Sequence, residues 1–262
     1  MASPAGKWVN RVGKKPAESA EMRKGKAAIA GARSPARWPL IVGGVVIVGL
    51  LVAIVATLVV SANKEKPEPI STSGPMVVPT GATTGGALVS GKADAPVRLE
   101  VYLDYMCPYC GQFERANGEE IARLVGAGTV RLETYPLAFL DEASSGTQYS
   151  TRAANAAATV SDRAADKFIA FNNSLFAHQP AEGGEGLTDD AIASLARDAG
   201  VPAEVTDAFG DRTFVPWVAD STKKAFAGGL QGTPTVKIDG VQFTGDLYKA
   251  GPLTEAINQA AK

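Results

Sequence analysis

Only two cysteines and a single histidine occur in 262 residues, and that scarcity narrows the chemistry at once. A closed tetrahedral zinc site takes four Cys or His ligands, so Cys107, Cys110 and His178 fall short of one within a single chain. His178 also ends an apolar helical run just before Gln179 and Pro180, where a solvated histidine near a helix C-terminus is expected. No glycine-rich phosphate loop, catalytic carboxylate pair or Ser/His/Asp set stands out, which leaves the cysteines to carry whatever chemistry there is. An excess of charge of either sign is missing overall, the net being −1 at pH 7, but this balance hides a strong asymmetry along the chain.

Residues 1–39 carry nine basic and two acidic side chains, net +7, among Ala, Gly, Ser and Pro with no hydrophobic periodicity. This composition predicts a disordered basic tail near an anionic membrane surface, and it shows no aromatic-interleaved face of the kind that binds nucleic acid. Residues 40–60 form an uncharged apolar run of 21, and a membrane-spanning helix needs about 20. The excess of positive charge before the run places the tail in the cytoplasm and everything after it outside. Val60-Ser61-Ala62 resembles a signal-peptide cleavage site, but the basic region and apolar core are longer than such peptides use, which favours an uncleaved anchor in the cell membrane. Residues 61–85, with Pro67, Pro69, Pro75 and Pro79 amid Ser, Thr and Gly, read as an extracytoplasmic linker. Residues 61–262 carry 17 basic and 25 acidic side chains, net −8, which argues against nucleic acid as a partner of the outer part.

The two cysteines stand at Cys-x-x-Cys spacing in Asp104-Tyr105-Met106-Cys107-Pro108-Tyr109-Cys110. Before them, Val97, Leu99, Val101 and Leu103 alternate with polar residues, the period-2 pattern of a strand. After them, Phe113, Ile121 and Leu124 recur at helical spacing, with Asn117-Gly118 expected to kink the helix. Cys107 therefore falls at a helix N-terminus, where unpaired N–H groups and the helix dipole favour a thiolate. Thiols so placed have pKa values lowered from about 8.5 to roughly 3.5–7.5, which makes Cys107 the exchanging sulfur and Cys110 the resolving one. Pro108 suits the first helical turn, and Tyr109 is placed to tune the pair. An inert structural bridge is the competing reading, weakened because so short a loop constrains the unfolded chain little.

Residues 104–114 resemble the active-site segment of DsbA-like thiol-disulfide oxidoreductases of the thioredoxin superfamily. Gly232-Thr233-Pro234-Thr235, followed by the strand-like Val236, Lys237 and Ile238, resembles that family's cis-proline loop. The resemblance implies an α/β thioredoxin fold over residues 86–262 with a helical insertion at about 147–229. It also implies an active-site loop of Pro108, Tyr109, Thr233 and Pro234, and no cofactor beyond the redox-active Cys107–Cys110 disulfide. Where relatives carry a buried carboxylate, six residues before the first cysteine, this chain has Val101. Asp104 and Glu114 are thus the candidate proton carriers, although an acid at a strand or helix end is more commonly just solvated. A second structural cysteine pair, present in some membrane-anchored relatives, is missing.

The remaining pattern predicts a short strand near 87–89, a strand at Val130 and Leu132 ended by Pro136, and helices over 149–160, 162–178, 188–199, 202–209 and 213–227. Asp239-Gly240 marks a two-residue hairpin and a last helix runs from Pro252. Aromatic stripes in these helices read as core. The expected function is exchange of disulfides with thiols of secreted or membrane proteins, in the oxidising direction because disulfides persist outside the cytoplasm, with a membrane redox partner recycling the pair. A reductase or isomerase of the same fold, and a tethered binding module with an inert bridge, are the alternatives.

Overall fold

The computed structural model describes residues 68–262. The basic tail, the apolar run 40–60 and the first part of the linker, 61–67, lie outside the described residues, among which no helix is long and apolar enough to cross a membrane.

Five strands make one mixed sheet: β1 (Leu88–Ser90), β2 (Val97–Leu103), β3 (Val130–Pro136), β4 (Thr235–Ile238) and β5 (Val241–Gln242), in the order β1-β3-β2-β4-β5. The β2 and β3 strands are parallel, joined through helix α1 (Pro108–Gly126), and the other pairings are antiparallel. The β4–β5 turn has Asp239 and Gly240 both at positive φ, as a tight two-residue hairpin requires. The Asp239 carboxylate also accepts from the Arg98 N–H at 2.8 Å, tying the hairpin to the start of β2.

The alternation in β2 predicts one wet face, yet both faces are covered. Val97, Leu99, Val101 and Leu103 enter the main core, while Glu100 and Tyr102 are also buried. On the second face Tyr102 stacks on Tyr135 with centroids 4.1 Å apart, and Ala87, Leu137, Ala225, Phe226 and Leu230 pack around them. A central strand in a sheet covered on both sides cannot keep a solvated face, so its polar residues are paired instead. Arg98 and Arg131 supply guanidinium groups 3.1 Å from the carboxylates of Glu100 and Glu133.

Between β3 and β4 lie helices α2 (Tyr149–Arg163), α3 (Phe168–Ala177), α4 (Asp189–Asp198), α5 (Ala203–Asp207) and α6 (Val215–Ala227), and the chain ends on α7 (Pro252–Ala260). Helix α2 is buried on almost every side, and its alanines let the neighbouring helices approach closely. Asn155 in its middle is satisfied, donating to the Phe209 carbonyl at 3.1 Å and accepting from the Phe214 N–H at 3.0 Å. The single helix expected over 162–178 is divided: Ala164 at φ −149° leaves the helical region, a 3-10 turn (Ala165–Lys167) follows, and α3 starts at Phe168. Thr188 caps α4 as read from the sequence, its hydroxyl accepting from the Ala191 N–H. Phe168, Phe171, Phe176 and Trp217 are core residues. Upstream of β1, Pro79 is buried, the Thr80 N–H donates to Asp162 at 2.8 Å, and the Ile70 N–H donates to Gln148.

Candidate active site

The site is built where the C-terminal end of β2 runs into α1. Asp104 closes a turn: its carboxylate accepts from the Met106 N–H at 2.8 Å and its carbonyl from the Cys107 N–H at 3.0 Å. Cys107 is the extended N-cap residue, Pro108 opens the helix, and the Cys107 carbonyl accepts from the N–H groups of Cys110 and Gly111. The loop is clamped from the helical insertion, because the Gln179 amide donates to the carbonyls of Tyr105 at 3.1 Å and Cys107 at 2.8 Å. Gly111 leaves room for that amide, since a Cβ there would lie 2.1 Å from the Gln179 Oε1. Nothing in the local sequence marks Gln179, which enters the site only through tertiary packing.

Both cysteines are free thiols, Cys110 fully buried and Cys107 nearly so. Their acidities are driven apart. The Cys107 pKa is lowered to about 6, chiefly by a hydrogen bond from the Cys110 side chain and against the opposing effect of burial. The Thr233 side chain and the N–H groups of Cys110 and Tyr109 add to the lowering. Burial pushes the Cys110 thiol well up, and its partner Cys107 pushes it further. One thiolate held by its neighbour's proton is the arrangement of a nucleophile and a resolving thiol.

Antiparallel pairing of β4 with β2 carries the loop before β4 to the same end of the sheet. There the Thr233–Pro234 peptide bond is cis, and the Thr233 carbonyl oxygen lies 3.4 Å from Cys107 Sγ, accepting from the thiol. The Thr233 hydroxyl is buried with no hydrogen-bond partner, which leaves it able to donate to the sulfur once the proton is gone.

The two acids expected at exposed element ends are instead desolvated. Asp104 is fully buried and accepts from Ser150 Oγ at 2.6 Å and the Leu140 N–H at 3.1 Å besides the Met106 N–H. Burial outweighs these bonds and pushes its pKa up to about 7. Glu114 is only partly covered at its surface, but its carboxylate points inward to accept from Asn172 at 3.1 Å, and burial raises it to about 7 as well. Asn172 in turn accepts from the buried Tyr105 hydroxyl at 3.0 Å. Glu114 and Asn172 line a small cavity together with Val101, so a carboxylate from α1 reaches the space over the position where β2 carries no acid. The helix runs unbroken through Asn117-Gly118, where the sequence suggested a kink; Gly118 is buried in its middle, and a Cβ there would lie 2.6 Å from the Glu114 Oε1.

His178 is the C-cap residue of α3, its Nδ1 3.0 Å from the Ser174 carbonyl. Tyr109 stands out of the helix start, half-exposed, against Tyr248 of the loop before α7.

Comparison with known proteins agrees with this geometry. A sequence model described as thioredoxin matches residues 83–258. Among solved structures, reduced DsbA from Mycobacterium tuberculosis is 27% identical, the match covering 68% of this chain and 100% of that one with a TM-score of 0.56. MdbA from Actinomyces oris, a thiol-disulfide oxidoreductase, is 25% identical over 73% of this chain and 94% of its own, with a TM-score of 0.60. Among curated sequences, the serine/threonine-protein kinase PknE of Mycobacterium tuberculosis is 32% identical over 114 residues, 42% of this chain but 20% of the kinase. The chain thus aligns with about a fifth of that relative's length.

Proposed function

The chain belongs to the thioredoxin family, and from that premise we propose that it is a membrane-anchored, extracytoplasmic enzyme that oxidises thiols of secreted or membrane proteins through Cys107 and Cys110. Its structural neighbours are thiol-disulfide oxidoreductases, and the observation that carries the reading is the opposed acidity of the two thiols beside Thr233.

In the oxidised enzyme a substrate thiolate attacks Cys107 Sγ. The Cys107–Cys110 bond breaks, Cys110 leaves with the electron pair and takes a proton, and a mixed disulfide joins Cys107 to the substrate. A second substrate thiolate then attacks the substrate sulfur of that disulfide and expels Cys107. The products are a substrate disulfide and the enzyme dithiol. Expulsion is favoured because a thiolate of pKa about 6 is a good leaving group at neutral pH. Stabilising that thiolate stabilises the reduced enzyme, which is the condition for an oxidant rather than a reductant. Asp104 and Glu114 are the carboxyl groups proposed to exchange the Cys110 proton, each poised near neutrality by burial. The pair is recycled by a membrane protein that accepts its two electrons.

A reduction potential measured in glutathione buffers tests the direction: a value above about −200 mV supports oxidation, and one near −270 mV makes the enzyme a reductase. Protease added to intact cells tests the topology. It should remove the Cys107 domain and spare the basic tail.

A further inference from the structure

Three donors converge on one oxygen at the start of α1. The Cys107 carbonyl accepts from the Cys110 N–H at 3.0 Å, the Gly111 N–H at 3.2 Å and the Gln179 side-chain amide at 2.8 Å, the shortest of the three. A carbonyl oxygen has two lone pairs, so the Gln179 amide takes one and the two helical N–H groups share the other. This donor comes from outside the helix, on the residue that follows α3 and its C-cap His178. The same amide also donates to the Tyr105 carbonyl at 3.1 Å, and Asn172 of α3 accepts from the Tyr105 hydroxyl at 3.0 Å. Tyr105 and Cys107 are thus gripped by one helix of the insertion and the segment that ends it.

The competition at that oxygen matters because a thiolate needs the same N–H groups. Cys107 is the N-cap residue, extended at φ −69° and ψ 117°, and Pro108 at the first helical position has no N–H to offer. An N-cap side chain is served by the N–H groups two and three positions on, here those of Tyr109 and Cys110. The neutral thiol makes no capping bond, whereas both N–H groups favour its ionised form. The Cys110 N–H therefore stands between the Cys107 carbonyl and the Cys107 sulfur, and a second strong donor on the carbonyl turns it toward the sulfur. Gly111 keeps the place of that donor open, since a Cβ there would lie 2.1 Å from the Gln179 Oε1 and 3.0 Å from a nitrogen of the charged Arg115. Cys110 and Tyr248 are the titratable groups whose charge interaction with Cys107 is felt.

We propose that Gln179 is a positioning residue for the exchange reaction: by occupying the Cys107 carbonyl it frees the Cys110 N–H for the Cys107 sulfur, and so couples the helical insertion to the oxidising strength of the pair. The proposal rests on the thiol-disulfide reading. A thiolate capped by both N–H groups is the better leaving group from a mixed disulfide, and it stabilises the reduced enzyme. Losing the amide returns the Cys110 N–H to the carbonyl, which makes Cys107 a poorer leaving group and the enzyme a weaker oxidant.

The test measures the pH midpoint of Cys107 alkylation and the equilibrium with glutathione in the full-length protein. Gln179→Met keeps length and bulk but has no donor, so a side chain that merely fills space is conserved. Its midpoint should rise by about half a pH unit, and the glutathione equilibrium should move about threefold toward the oxidised enzyme. With a dithiol peptide its kcat should fall while KM holds. Gly111→Ala, which displaces the amide, should raise the midpoint in the same way, and should add nothing in a Gln179→Ala background. A Gln179→Met midpoint at the wild-type value, or Gly111→Ala and Gln179→Ala effects that add, overturns the proposal. The midpoint is read in reduced protein without substrate, so it stands apart from turnover. A wild type that oxidises no dithiol peptide overturns the enzyme reading instead.

Discussion

The carbonyl oxygen of Thr233 sits 3.4 Å from the sulfur of Cys107, although 126 positions separate them in the chain. The contact joins the loop before β4 to the start of α1 and puts a hydrogen-bonding residue against the exchanging thiol. From it follows the first of four predictions.

Thr233→Val keeps shape and removes the hydroxyl that contributes to lowering the Cys107 pKa. The midpoint of Cys107 alkylation should rise by about one pH unit, the size of one hydrogen bond to a charged group. An unchanged midpoint would remove Thr233 from the acidity of the site.

The cysteines should behave unequally. Cys107 should alkylate with a midpoint at about pH 6, while Cys110 stays unreactive through neutrality. Cys107→Ser should abolish exchange, and Cys110→Ser should trap mixed disulfides through Cys107. Equal labelling of both thiols at pH 6 contradicts the assignment.

Stability of the oxidised protein, in which neither cysteine titrates, should fall as pH rises from about 4 to 7. Asp104 and Glu114 keep their protons up to about 7 when folded but release them at ordinary carboxylate values when unfolded. The folded state binds more protons across that window, so each step up in pH favours unfolding. Asp104→Asn should remove its share of the slope, on the order of a few kcal/mol across the window. Urea midpoints at pH 4.5 and 7.5 measure this; a wild-type stability that is flat or rises would show that these acids ionise normally.

Gly118→Ala should reverse sign with its neighbour. Replacing a mid-helix glycine by alanine ordinarily stabilises by about 1 kcal/mol. Here the added Cβ meets the Glu114 carboxylate and drives it from Asn172, so the substitution should destabilise by about 1 kcal/mol. In a Glu114→Ala background the same change should stabilise. Equal effects in both backgrounds, from a denaturation cycle, would mean the glycine does not cradle the acid.

Much of the site was legible in the sequence because it depends on neighbours a few residues apart. Period-2 alternation placed β2, Pro108 and helical spacing placed α1, and their junction put Cys107 at a helix N-terminus. Asp239-Gly240 specified its hairpin for the same reason, since the turn needs two positive φ angles. Tertiary structure alone decided the rest. Whether Asp104 and Glu114 are solvated or desolvated depends on Ser150, Leu140 and Asn172, which arrive from elements far along the chain. Gln179 and Tyr248 carry no local signature, and reach the loop around the cysteines because the insertion folds over it and Asn117 tethers the segment before α7. Hydrogen-bonding patterns along a strand or helix are repeated by the backbone and so are written in local periodicity; burial is set by whichever distant segments close over a residue, and only the folded chain defines it.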